Sequence, residues 1–269
     1  MLSKDTQLCI SLSGRPSNIG TRFHNYLYQK LDLDFIYKAF STTDIEHAVK
    51  GVKALGIRGC SVSMPFKETC IPFIDTLSDS VLAIDSVNTI VNDQGHLTAY
   101  NTDYIAVKNL IQDNFNDTQM SVFVKGSGGM AKAVVAAFRD SGFTRVTIVA
   151  RNQLQGQALA EKYGYQWRQD VTGQQADILV NVTPIGMSGG VEENSLAFEQ
   201  EAVSTARWVF DVVAFPSETP LVRLAKQLGK PVVTGAEVIA LQALEQFALY
   251  TGVRPDELLM REASAFSRL

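Results

Sequence analysis

SVSMPFKE, residues 61–68, ends an apolar run on a proline and then presents one ammonium group, Lys67. An amine so placed is either a solvated surface lysine, the commoner fate of this residue type, or an acid/base that exchanges a proton with a substrate. The stretch alone leaves both readings open. KGSGGMAKAV, residues 125–134, is more explicit, because it follows the apolar run SVFVK, opens a helical pattern and fits G-x-G-x-x-A through Gly126, Gly128 and Ala131. The first glycine permits a tight turn, the second lets backbone approach a pyrophosphate, and the small third residue lets helix and sheet pack closely. A helix N-terminus there offers unpaired N–H groups and partial positive charge to phosphates. Ser127 and Gly129 complete a loop whose chemistry is dinucleotide binding.

The choice of dinucleotide is read near the end of the next strand, where NAD-binding domains place an acid on the ribose 2′-hydroxyl. Here the stretch is VARNQ, with Arg151 and no carboxylate. A guanidinium pairs with a 2′-phosphate that an acid would repel, so NADP is the expected cofactor. The alternative for Arg151 is an ordinary surface arginine. In NVTPIGM, which ends a later strand, Thr183, Gly186 or Met187 would meet a ligand crossing the carboxyl edge of the sheet.

Short apolar strands alternate with helical patterns along the chain, the rhythm of parallel sheets built through crossovers. Strands are expected at Leu8 to Ser13, Phe35 to Phe40 and Ile57 to Met64, with a helix near Thr21 to Leu31 and another after Ser41, capped by Ser41 or Thr42. VNTIV, the turn Asn92-Asp93-Gln94-Gly95 and HLTAYN read as a hairpin, hence an antiparallel edge on a mixed sheet. After the helical TDYIAVKNLIQ the pattern restarts from Met120 with strands in SVFVK, RVTIVA, ADILVNV, RWVFDVV and KPVVT. Two helices, AEVIALQALEQFALYTG and PDELLMREASAF, close the chain. The expected organisation is a discontinuous first domain, 1–102 and 236–269, with a Rossmann-type domain at 103–235 between its parts.

The frame is that of an ordinary folded protein: 269 residues, 46% hydrophobic and 19% charged. A net charge of -4 and no Lys/Arg cluster argue against nucleic acid as a partner. A short N-terminal apolar run without a basic leader argues against a membrane segment and for a cytoplasmic location. The cysteines Cys9, Cys60 and Cys70 make no C-x-x-C pair, and His24, His47 and His96 lack ligand spacing, so no metal is expected.

SMPFKE, DSVNT around Asn88, AYNTD ending in Asp103, GSGGMA, NVTPIGM and TGAEVIALQA stand in order over nearly the whole chain. Together they resemble the shikimate dehydrogenase family. The resemblance implies an α/β fold, a mixed-sheet α/β substrate domain plus a Rossmann-type doubly wound NADP-binding domain. It implies Lys67 and Asp103 as the catalytic pair, and Asn88 and Gln242 as substrate ligands. With Thr21 and Ser63 these make up the substrate set; the cofactor set is Gly126, Ser127, Gly128, Gly129, Arg151, Thr183, Val213 and Gly235. The implied reaction interconverts a cyclic, shikimate-like hydroxy acid and its 3-oxo form by hydride transfer, on a small-molecule substrate in a monomer or homodimer. The competing reading is a non-catalytic sensor or regulator on the same fold, against which the retained Lys67 and Asp103 speak.

Departures from the family pattern cluster where the acid is recognised. RPSNIGTRFHN puts Asn18 and Gly20 roughly where the family has two carboxylate-binding serines, with Thr21, Ser17 and Arg22 as possible replacements. Ser61 and Ser63 replace an asparagine and a threonine, Tyr104 replaces a glycine, Ala214 a tyrosine, and Gln155 a second basic residue. A site that has lost hydrogen bonds discriminates differently, so shikimate itself is expected to be a poor substrate.

Overall fold

The computed structural model describes residues 2–269. The chain divides into two compact units: residues up to Thr102 with Ala240–Leu269, and Asp103–Ile239.

The first unit carries β1 (Gln7–Ser13), α1 (Ile19–Lys30), β2 (Phe35–Ser41), α2 (Ile45–Ala54), β3 (Gly59–Val62), β4 (Thr76–Leu77), α3 (Asp79–Leu82), β5 (Thr89–Asp93) and β6 (His96–Tyr100). Its sheet has the order β2-β1-β3-β5-β6-β4. β1 runs parallel to β2 and β3, whereas β5 is antiparallel to both β3 and β6. Alternation along β1 sends Ile10 and Leu12 to one face and Cys9 to the other. The first face packs on Val49 and Val52 of α2. The second packs on Phe23, Leu27 and Tyr28 of α1, joined by Phe247 and Tyr250. Each such side chain, fully buried, contributes about 1.5–3 kcal/mol, so covering both faces holds the sheet rigid under its loops.

α4 (Thr102–Asn114) leads into the second unit, with β7 (Val122–Lys125), α5 (Gly129–Asp140), β8 (Val146–Val149), α6 (Gln153–Tyr163), β9 (Gln166–Arg168), β10 (Ile178–Asn181), α7 (Gln200–Thr205), β11 (Trp208–Asp211), α8 (Pro220–Gln227) and β12 (Val232–Thr234). All pairings in its sheet are parallel, in the order β12-β11-β10-β7-β8-β9. Strands buried on both faces need no alternation, which is why VFVK, VTIV and ILVN read as apolar runs. The order reverses between β7 and β10, and this switch point opens a crevice at the carboxyl ends of the strands. α9 (Gly235–Thr251) returns the chain to the first unit, where α10 (Glu257–Ser267) packs with it and α1.

Three expectations are corrected. The hairpin is not the sheet edge: β4, two residues long and too short to show a period, pairs parallel with β6 outside it. α2 is capped by Asp44, whose Oδ1 accepts from His47 N–H, because Ser41 still belongs to β2 and the Thr42 hydroxyl accepts from Asp44 N–H. The third strand is confined to Gly59–Val62, since the chain turns at Met64 and Pro65. β9, the outer strand of the second sheet, was not anticipated from QWR. Among the described residues no helix is long and apolar enough to cross a membrane.

Candidate active site

In the first unit, a chain of buried polar groups converges on Asn88, just before β5. Asn88 is 4% exposed. Its Oδ1 accepts from the Thr89 hydroxyl (2.9 Å), the Thr102 N–H (2.8 Å) and the Thr102 hydroxyl (3.2 Å). The Nδ2 donors make no hydrogen bond among the described residues. α9 supplies the next layer from positions one turn apart: Gln242 donates to the Thr102 hydroxyl (3.1 Å) and Gln246 to the Thr89 hydroxyl (2.9 Å). Gln246 Oε1 lies 3.2 Å from His24 Nε2 of α1.

His24 is buried among aromatic rings and stacks on Tyr37 with centroids 4.4 Å apart. Burial pushes its imidazole down to about 4, and the Gln246 contact offsets only part of that. An unfolded histidine takes up its proton near 6.5, so between about 6.5 and 4 the unfolded chain binds the extra proton and stability rises with pH. This one group withdraws about 3 kcal/mol as pH falls through that window. Urea unfolding at pH 7 and pH 4.5 is expected to show the loss in the natural protein and a smaller one in His24→Gln.

Lys67 stands half-buried in the loop after β3. Its carbonyl accepts from Val87 N–H (2.7 Å), and Val62 N–H donates to the Asn88 carbonyl (2.8 Å), so the lysine loop is laced to the segment carrying Asn88. Ser63 is exposed on the same loop, its N–H held by Leu12 O. Asp103 lies half-buried in the first turn of α4. Thr21 is half-buried, but its hydroxyl is buried without a hydrogen bond, and its carbonyl accepts from Asn25 Nδ2 (2.9 Å). Tyr104 turns its bulk into the second unit, donating to Asp140 (2.6 Å).

In the second unit a cavity of about 680 Å³ is lined by Gly126, Ser127, Gly128, Gly129, Arg151 and Thr183, together with Lys125, Asn152, Asp170 and Glu192. Gly126 has φ +128°, and a Cβ there would sit 2.8 Å from Val182 Cγ2, so no other residue fits the turn. Gly128 caps α5 with no side-chain hydrogen bond, and a Cβ at 128 or 129 would meet nothing within 4 Å. The first N–H groups of α5 have no acceptor within the helix, and Gly128, Gly129 and Met130 line the cavity, which fits a pyrophosphate. Burial pushes the Lys125 ammonium below its ordinary range, against the pull of Asp170 and Glu192. Exposed Arg151 lies 3.6 Å from Glu192, a surface pair of little strength that a phosphate dianion can displace.

The loops at the mouth are set from below by two buried side chains. Asn181 Oδ1 accepts from the Thr183 N–H (3.0 Å) and hydroxyl (2.6 Å), while its Nδ2 donates to Asp211 (3.0 Å). Asp211, wholly buried, also accepts from Val213 N–H (3.0 Å) and the Thr219 hydroxyl (2.6 Å). Burial raises its pKa despite these donors. Val213 and Gly235 lie outside the cavity lining and pack against each other: a Cβ at 235 would fall 2.4 Å from Val213 O. Among the described residues no cluster of His, Cys, Asp or Glu could hold a metal ion.

Sequence reasoning missed His24, Thr89 and Gln246. Only Gln246 carried a signal, its place one turn beyond Gln242 on the same face of α9. Lys125, Asp170 and Glu192 were missed at the cavity, and of these Lys125 alone adjoined the glycine loop in sequence.

The description shikimate dehydrogenase substrate binding domain matches residues 18–90, and shikimate / quinate 5-dehydrogenase matches residues 109–203. A shikimate dehydrogenase-like protein of Haemophilus influenzae is 62% identical over 268 residues, spanning 100% of this chain and 99% of its own. The chain belongs to the shikimate dehydrogenase family. A shikimate dehydrogenase (NADP(+)) of Pyrococcus abyssi is 32% identical over 260 residues, 94% of this chain and 96% of its own. The structure of shikimate 5-dehydrogenase from Thermus thermophilus, in complex with NADP(H) and shikimate, matches with a TM-score of 0.82 and 26% identity, over 97% of this chain and 99% of that one. The family fold, a mixed-sheet substrate-binding domain and a Rossmann-type domain, accounts for both sheets described above.

Proposed function

We propose that this chain is an NADP-dependent oxidoreductase that interconverts a cyclic hydroxy acid related to shikimate and its 3-oxo form. The observation that carries the reading is Asn88, a buried amide whose oxygen is filled by three donors and whose Nδ2 is left to bind a hydroxyl, on a segment bonded to the Lys67 loop. Relatives named for shikimate and NADP(+) supply the reaction class. Bound NADP would accept or return the hydride. Lys67 takes the hydroxyl proton in oxidation and gives it back in reduction, while Asp103 orients the amine and the alcohol. Gln242 supports Asn88 through Thr102 and turns its Oε1 to a second hydroxyl.

The glycine loop holds the pyrophosphate, and Arg151, released from Glu192, pairs with the 2′-phosphate. Arg151→Ala is expected to weaken NADP binding about 10-fold and leave NAD unchanged, by titration calorimetry. An unchanged NADP affinity assigns the 2′-phosphate to another residue.

Weak action on shikimate itself is part of the reading. At the family's serine positions, Asn18 is exposed with no side-chain cap bond, and Gly20 has no side chain; a Cβ there would meet Tyr37 Oη at 3.5 Å. Purified protein with NADP, NAD and a panel of cyclic hydroxy acids, followed by nicotinamide absorbance, tests the whole reading. Turnover of a relative of shikimate that is larger or less polar near the carboxylate supports it. Binding without turnover for every acid favours a sensor.

A further inference from the structure

We infer that Gln246, its amide locked by His24, is a positioning residue that fixes the direction of the hydrogen bonds around Asn88 and so keeps the Asn88 Nδ2 donors turned to the substrate. The inference rests on the reading of Asn88 as the hydroxyl ligand.

The direction follows from atoms with only one possible role. The Gln246 terminal atom 2.9 Å from the Thr89 hydroxyl also lies 3.4 Å from the Asn88 carbonyl. A carbonyl only accepts, so that atom is Nε2, and Oε1 faces His24. His24 Nε2 must then carry its proton. Nδ1 has no partner in the buried aromatic stack, which suits a bare lone pair and not a second N–H. A neutral imidazole is also what burial favours there. The Thr89 oxygen, receiving from Gln246, turns its own proton to Asn88 Oδ1. The Thr102 N–H, which can only donate, independently marks that end of Asn88 as oxygen. Thr102 alone would leave the amide free to pivot about one bond axis; the Thr89 donor, kept in place by Gln246, removes that freedom.

Wild-type protein without substrate gives the first test: nitrogen NMR of His24 at about pH 7 is expected to show protonated Nε2 and bare Nδ1. The opposite tautomer, or an imidazolium, overturns the inference. His24→Gln, which keeps an amide N–H near the Nε2 position, is expected to hold KM for the hydroxy acid within about 2-fold. His24→Phe is expected to raise KM about 10-fold, the equivalent of one hydrogen bond, with kcat within about 3-fold and NADP affinity unchanged. Gln246→Met reads the same KM where His24→Phe does not fold. A folded His24→Phe or Gln246→Met protein with natural KM overturns the inference. If no hydroxy acid is turned over by the natural protein, the functional reading fails by itself. The inference is then decided by the tautomer and by the Asn88 side-chain amide signals, which should shift in His24→Phe and stay in His24→Gln.

Discussion

Lys67→Ala is expected to lower kcat for the best hydroxy acid by about 1,000-fold, within the range by which a positioned acid/base accelerates proton transfer. NADP affinity should not change, because Lys67 is absent from the lining of the dinucleotide cavity. The loop that carries half-buried Lys67 is held through its backbone, by Val87 N–H on Lys67 O and Phe66 N–H on Ser63 O, so loss of the side chain leaves those bonds in place. Stopped-flow or steady-state absorbance at the reduced-nicotinamide band measures the effect. A variant retaining a tenth or more of the natural rate would remove Lys67 from the chemistry and return it to the surface role that its residue type suggests. Asp103→Asn is the natural companion, since it keeps size and hydrogen bonding while removing charge.

Asp211→Ala is expected to destabilise the protein by about 4 kcal/mol, because three donors, the Val213 N–H, Asn181 Nδ2 and the Thr219 hydroxyl, lose their buried acceptor together. The carboxylate is not replaceable by empty space, although burial disfavours its charged form. Asp211→Asn should lose much less, since its Oδ1 can serve Val213 and Asn181 while its amide donates to Thr219. Denaturant unfolding of the three proteins makes the comparison. Equal stabilities for Ala and Asn would mean that the donors find water or other acceptors. The same change should loosen the DVVAFP and NVTPIGM loops, read as weaker NADP binding, because Asn181 holds Thr183 and Asp211 holds both Asn181 and Val213.

What could be read from the chain alone was whatever is written in short spans. The glycine loop between β7 and α5 is a local arrangement of turn, strand and helix, and the parallel sheet of the second unit announces itself because strands buried on both faces are continuously apolar. The hairpin of β5 and β6 was legible for the same reason, its turn residues lying between two patterned runs. β4 and β9, of two and three residues, were not: they are strands only because a neighbour offers backbone partners. The cap of α2 went to Asp44 and not to Ser41 or Thr42 because the sheet kept Ser41 in β2. The polar chain behind Asn88 was decided by tertiary structure alone. Gln246 meets Thr89 across 157 residues and His24 across 222, and no periodicity encodes which buried amide finds which hydroxyl. Residue types at Lys67, Asn88 and Gly126 suggest chemistry on their own; which end of an amide faces a ligand is settled only when folding has committed the other end.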